Sequence, residues 1–185
     1  MPAFLYICEK YNAMSKRLIS CIVSTLLLTV GAYAQKDSVA IGDIAPALSG
    51  ANVYSGDQIT LEKGKVTLII FWAPWCPYCV KELRTPEMAQ MMERLVGVED
   101  FRLIAVAVDK PENVVKFLDK NPDCSYIKEV TFCDPERVQY KEYAPKYIPR
   151  TYLVDKSGTV VKAILDTCTG DQIKDLSDTV ASLVE

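Results

Sequence analysis

The segment that most restricts how this chain can fold is Val66-Thr-Leu-Ile-Ile-Phe-Trp72, followed closely by Cys76-Pro-Tyr-Cys79. A continuous β-branched and aromatic run is expected of a strand buried on both faces, and so of one in the middle of a sheet. Pro77 suits the first turn of a following helix, because it has no amide hydrogen to leave unpaired there. Two cysteines three apart at the start of that helix share one face, at a separation compatible with a disulfide.

The two sulfurs are expected to differ. Cys76 faces the unpaired amides and positive end of the helix, which favours its thiolate below the free value of ~8.5 and makes it the candidate attacking nucleophile. Cys79, one turn inside, is expected to be more shielded and able to resolve a mixed disulfide formed by Cys76. A Cys-x-x-Cys alone also occurs in zinc ribbons, so the surrounding pattern has to decide.

That pattern alternates strand and helix. Ile41 to Leu48 and Asn52 to Leu61 read as an N-terminal arm and hairpin, with turn chemistry at Ser55-Gly56-Asp57. Val80, Leu83, Met88, Met91 and Leu95 recur at helical spacing after Pro77, and Pro86 should kink or divide that helix. Phe101 to Val108 reads as a second buried strand, Pro111 to Leu118 as a helix, Glu129 to Cys133 as a short strand and Pro135 to Tyr143 as another helix. Strands at Thr151 to Val154 and Val160 to Leu165, joined by the turn Asp155-Lys-Ser-Gly158, precede a last helix from Asp171. The final pair is a hairpin, so the sheet should be mixed.

Composition narrows the chemistry. The 185 residues contain no histidine, which removes every Cys-His or Ser-His pair and the commonest zinc and copper ligand. Twenty-one basic against 24 acidic side chains leave no excess of the kind nucleic acid demands. Neither a nucleic-acid partner nor a metal is expected.

The N-terminus points to export. Lys16-Arg17 precede the apolar run Leu18 to Val30, and Ala32-Tyr-Ala34 follows as a small-x-small cleavage site. Residues 1–34 are therefore expected to be an N-terminal extension and signal peptide cleaved after Ala34, and residues 35–185 one domain. The run is short of the roughly 20 residues a membrane span needs, so an uncleaved anchor is the lesser reading. Leu18-Ile-Ser-Cys21 resembles a lipoprotein box but precedes the apolar run, which disfavours lipidation. Glu9 and Lys10 lengthen the leader without a physical purpose, so Met14 is a second candidate start. Cleavage removes Lys10, Lys16, Arg17 and Glu9, leaving 18 basic against 23 acidic residues.

Trp72-Ala-Pro-Trp-Cys-Pro-Tyr-Cys79 after a hydrophobic strand resembles the thioredoxin superfamily, and the wider pattern resembles its exported TlpA/ResA-like branch. That pattern runs from Ile41-Gly-Asp-Ile-Ala-Pro46 past Val106-Ala-Val-Asp109 to Tyr147-Ile-Pro-Arg-Thr-Tyr-Leu-Val-Asp-Lys-Ser-Gly158. The resemblance implies an α/β thioredoxin fold: a mixed central sheet flanked by helices, with an N-terminal hairpin and a central strand-helix insertion. It implies thiol-disulfide exchange with protein substrates, no cofactor, and a membrane electron donor of the DsbD or CcdA kind. It also makes Pro149 a cis-proline facing the dithiol. The Ile148 backbone would pair with an extended substrate, while Trp75, Pro77 and Tyr78 contact it. The blander reading has Pro149 merely beginning the next strand.

Glu82 matches the Cys-x-x-Cys-x-x-Glu pattern of the ResA-like branch, where the acid tunes the thiols. Three residues after Cys79, it lies on the same helix face, within reach for proton shuttling; otherwise it is an ordinary solvated helix residue. Ile70 stands where many thioredoxins carry a buried Asp, so an acid assisting Cys79 must be Glu82. The Pro77-Tyr78 dipeptide cannot set the direction of electron flow, since family potentials differ by about 150 mV. The absence of histidine from that dipeptide leans the chain toward reductant or isomerase.

Three further cysteines remain open. Cys124 and Cys133 could close a structural disulfide, take part in a relay from the sheet edge that carries Cys76, or stay free. Cys168 reads as a small core residue. Tyr140, Tyr143 and Tyr147 follow helical spacing and read as core, as do Met88, Met91 and Met92. A peroxiredoxin would need Thr three residues before its peroxidatic cysteine, and neither Cys76 nor Cys79 has one. A Sco-like copper carrier would need histidine. A non-enzymatic module that holds thiol-containing clients is the third alternative.

Overall fold

The computed structural model describes residues 38–95, 97–144 and 146–184. The signal-peptide reading, the two candidate starts, Cys8 and Cys21 all lie outside the described residues.

A five-stranded mixed sheet organises the fold. Its strands, in chain order, are β3 (Val66–Trp72), β4 (Phe101–Ala107), β5 (Thr131–Cys133), β6 (Arg150–Val154) and β7 (Val160–Ile164), arranged in space as β5-β4-β3-β6-β7. β3, β4 and β5 are parallel, and β6 and β7 run antiparallel, the latter pair forming the expected hairpin with a register shift between Leu153 and Val154. All seven residues of β3 are buried, because this strand is central and covered on both faces. The parallel register places Trp72, Ala107 and Cys133 in one row, so β3, β4 and β5 all end at the same edge.

The helices are α1 (Pro77–Leu83), α2 (Pro86–Leu95), α3 (Pro111–Lys120), α4 (Val138–Tyr143) and α5 (Gly170–Val184). Pro86 does divide the first helical stretch. The Thr85 hydroxyl donates to the Glu82 carbonyl at 2.8 Å and accepts the Met88 amide at 3.3 Å, ending α1 and starting α2. Met88, Met91 and Met92 are core residues, as expected.

Two small strands, β1 (Ser49–Ala51) and β2 (Gln58–Thr60), form the N-terminal hairpin. It covers the edge strand β5: the Val53 amide donates to the Thr131 carbonyl at 3.1 Å, and Asn52 bridges Phe132. An exposed sheet edge invites intermolecular pairing, and this hairpin occupies it.

Three expectations need correction. Residues before Thr131 are not strand: Pro122–Val130 forms a 3-10 helix, so β5 is only three residues long. The helix expected from Pro135 starts at Val138, after Arg137 in a left-handed conformation (φ 56°). The Asp134 carboxylate sets that start by accepting the amides of Val138 and Tyr140 at 2.9 and 2.8 Å. Tyr147 is not core: it lies beyond α4 and is 71% exposed, whereas Tyr140 and Tyr143 are buried around Phe71.

Candidate redox site

Trp72 ends β3 at the sheet edge, and the turn Ala73-Pro74-Trp75 carries the chain to Cys76, the N-cap of α1. Its Sγ accepts the Cys79 amide at 3.2 Å, an orphan donor of the first helical turn. Pro77 occupies the first turn as expected. Cys76 and Cys79 form a disulfide with Cα atoms 5.3 Å apart, inside the range such a bond requires.

The Ile148–Pro149 peptide bond is cis, and the Ile148 carbonyl oxygen lies 3.8 Å from Cys76 Sγ. The chain segment before β6 thus meets the end of β3 at the sulfur. Two side chains hold this segment: the Tyr140 hydroxyl and the Arg150 Nε both donate to the Tyr147 carbonyl, the latter at 2.8 Å. Sequence reasoning placed Tyr140 in the core but missed this second task, and missed Arg150 altogether. An arginine directly after the proline, at the start of a strand, was the one available signal.

Trp75, Tyr78 and Tyr147 are exposed apolar side chains around this point, while Cys76 itself is only 4% accessible. The Arg137 guanidinium sits over the Trp75 ring, 5.8 Å from its centroid. A cation over an indole face is attracted by the ring quadrupole, which restrains both groups.

Behind the disulfide, Cys79, Glu82 and Leu83 form the buried face of α1. Glu82 is not a solvated helix residue; it is 1% exposed. Its Oε1 accepts the Thr151 hydroxyl at 3.1 Å, and its Oε2 accepts the Cys168 amide at 2.8 Å. Burial raises its carboxyl above the ordinary range, and these two donors oppose that shift. Thr151 and Cys168 come from β6 and from the loop before α5, so no local pattern around Glu82 could have disclosed them.

The remaining thiols do not join the dithiol. Cys124 and Cys133 remain separate, so of the three alternatives left open for them the loop-closing disulfide is absent and both are free thiols. Cys124 is buried within the 3-10 helix beside Asp123 and Arg84, whereas Cys133 ends β5 near Asp109 and Glu112. The 3-10 helix that holds Cys124 and the strand that ends at Cys133 give the two sulfurs different surroundings. Burial pushes Cys124 up to about 11 and Cys133 up to about 12, which keeps both as thiols at neutral pH. Cys168 is buried as expected, its thiol held protonated by burial and by the Glu82 charge. Among the described residues, no group of His, Cys, Asp or Glu could hold a metal ion.

A sheet in this order, with a dithiol where the central strand passes into a helix and a cis-proline opposite, defines the thioredoxin-fold class. The chain belongs to the AhpC/TSA family, whose pattern matches residues 41–163. It is 30% identical to a thiol-disulfide oxidoreductase ResA of Bacillus cereus, over 85% of this chain and 88% of that protein. It is 31% identical to ResA of Bacillus subtilis (strain 168), over 77% of each. A solved structure, that of a candidate protein disulfide isomerase from Bacteroides thetaiotaomicron, superimposes with a TM-score of 0.69 at 26% identity, covering 79% of this chain and 91% of that one. The protein is a thiol-disulfide oxidoreductase of the ResA-like kind.

Proposed function

We propose that the protein is exported and reduces or isomerises disulfides in other exported proteins. In this reading the Cys76 thiolate attacks a substrate disulfide and expels one substrate thiolate, leaving a mixed disulfide. The Cys79 thiolate then attacks the Cys76 sulfur, releases the second substrate thiolate and closes Cys76–Cys79. The dithiol loses two electrons to the one substrate disulfide broken. Glu82 accepts the Cys79 proton, which makes the resolving step competent at neutral pH.

The observation that carries this reading is the Ile148 carbonyl at 3.8 Å from Cys76 Sγ, immediately before cis-Pro149. An extended polypeptide pairing with the Ile148 backbone would bring its own sulfur to Cys76, with Trp75, Pro77, Tyr78 and Pro149 walling the site. The Lys16-Arg17 and Leu18 to Val30 pattern supports export, and a membrane dithiol donor of the DsbD or CcdA kind would return the protein to its reduced form.

Cys79→Ala removes the resolving thiol and should accumulate mixed disulfides between Cys76 and exported proteins in cells. Failure of Cys76 to capture any protein while the isolated dithiol still titrates would sink the protein-substrate reading. A Cys76→Ala chain that retained full biological activity would favour the client-holding module instead. A measured reduction potential near that of thioredoxin, about -270 mV, would identify a reductant; one near -120 mV would identify an oxidant.

A further inference from the structure

Two grooves flank the indole of Trp75. One, of about 800 Å³, runs along α1 past Pro77, Lys81 and Arg84. The other, of about 400 Å³, runs along α3 past Asn113, Lys116 and Lys120. Pro74, Trp75 and Phe117 line both, so the two are one surface with an apolar floor that begins next to Cys76.

The charge along this surface is predominantly basic, with Asp109 the one carboxylate in its lining. Lys81, Lys116 and Lys120 have no ion pair among the described residues. Arg137 adds its guanidinium over Trp75. The carboxylates in and beside it hold other partners, by ion pair or by neutral hydrogen bond. Asp123 pairs with Arg84 at 2.9 Å, and Asp109 accepts the Lys110 amide and the Asn113 side chain at 2.7 and 3.0 Å. Asp119 of α3 is bound by Lys128 and the Tyr54 hydroxyl, both at 3.0 Å. The chain as a whole has net charge -3, so a lining of Lys81, Arg84, Lys116 and Lys120 against Asp109 alone runs counter to the acidic average. Cations grouped along a concave surface raise the local concentration of an oppositely charged partner and orient its approach.

We infer that the substrates are polypeptides carrying an acidic stretch beside the reacting cysteine, which lies along α1 and α3 with its apolar side chains against Trp75 and Phe117. This rests on the peptide-exchange reading and names the substrate class that reading leaves open. The cations lie to the side of the sulfur and act on approach and orientation, while the chemistry stays with Cys76 and Cys79.

Three peptides of one sequence test this, each with a single cysteine in mixed disulfide with neutral 2-mercaptoethanol and flanked by Asp-Glu, Ser-Gly or Lys-Lys pairs. Cys76 forms a disulfide to the peptide sulfur and expels 2-mercaptoethanol; Cys79 then closes on Cys76 and expels the peptide thiol, the two released thiols taking up the dithiol's two protons. Second-order rate constants are read from tryptophan fluorescence as the reduced protein is oxidised. At low ionic strength the acidic peptide should react about tenfold faster than the basic one, and the gap should close to about twofold in about 0.5 M salt, where charges are screened within a few ångströms. Lys116→Glu with Lys120→Glu should lower the acidic-to-basic ratio about tenfold. Equal rates for the three peptides at low salt, or a ratio that charge reversal leaves unmoved, would overturn the acidic-substrate inference while leaving the exchange chemistry intact. No reaction with any of the three would overturn the exchange reading itself.

Discussion

Glu82 carries a carboxylate into the interior behind the dithiol, and two hydrogen bonds decide what it can do there. Burial favours its protonated form, while the Thr151 hydroxyl and Cys168 amide favour the anion. Because its folded value is raised above the unfolded one, the stability it contributes is complete below the unfolded value and is lost as pH rises through the folded one. Wild type should therefore lose stability relative to Glu82→Gln over that rise, as read by urea unfolding at a series of pH values. The same variant should slow resolution of the Cys76 mixed disulfide by roughly 10²-fold, the lower end of what proton transfer contributes. Thr151→Val, which keeps the side-chain shape but removes the donor, should raise the pH at which resolution becomes fast, and Thr151→Ser should restore it. If Thr151→Val and wild type share one pH profile, the hydroxyl does not position the carboxylate.

The reactivity of the other cysteines belongs to the same scale. Cys124 and Cys133 are held near 11 and 12, and Cys168 is raised as well. After reduction, iodoacetamide at neutral pH should alkylate Cys76 well before any of these three. Peptide mass mapping over time checks the order, and early modification of Cys133 would contradict it.

Among the elements, the N-terminal hairpin matters beyond its size because it closes the β5 edge. Asn52 is the fastener: its Nδ2 donates to the Lys128 and Thr131 carbonyls at 2.8 and 3.3 Å, and its Oδ1 accepts the Tyr54 and Ser55 amides at 2.8 and 2.9 Å. Asn52→Ala leaves the Lys128 carbonyl and the Tyr54 and Ser55 amides without these partners, while Thr131 keeps its bond from Val53, and should cost about 2 to 3 kcal/mol by denaturant unfolding. Gly50 lies against Phe132 so closely that a Cβ would enter the ring. Gly50→Ala should displace the hairpin from β5 and cost about 1 to 3 kcal/mol. Hydrogen exchange at Thr131 to Cys133 should rise in both variants, and unchanged protection there would mean that the hairpin does not guard this edge.

The alternation of strands and helices was legible in the sequence because long buried runs carry their own signature. The short elements were not. Thr131–Cys133 is three residues long and gains its strand geometry from pairing with β4, not from its own pattern. The 3-10 helix before it packs Cys124 and Ile127 inward and runs on through Glu129 and Val130, the two residues that the sequence pattern assigns to the strand.

Over the whole molecule, export is the expectation with the widest consequence. Purification from the extracytoplasmic fraction should give a chain beginning at Gln35, which N-terminal sequencing or intact mass decides. Recovery of a chain that retains residues 1–34 would return an anchored form to consideration.

What the sequence determined by itself was the chemistry and the place where it sits. A fully apolar run, a proline at the first helical turn and two cysteines one turn apart are local features, governed by backbone geometry and side-chain spacing over a few residues. The tertiary structure alone decided which further groups surround that dithiol and its Glu82. Thr151, the Cys168 amide, Tyr140 and Arg150 come from segments far from Cys76 in the chain, brought there only when β6 pairs with β3 and the loop before α5 folds against α1. That Cys124 and Cys133 stay apart was decided the same way, because a disulfide needs two sulfurs in one place and spacing along the chain does not say where each side chain points.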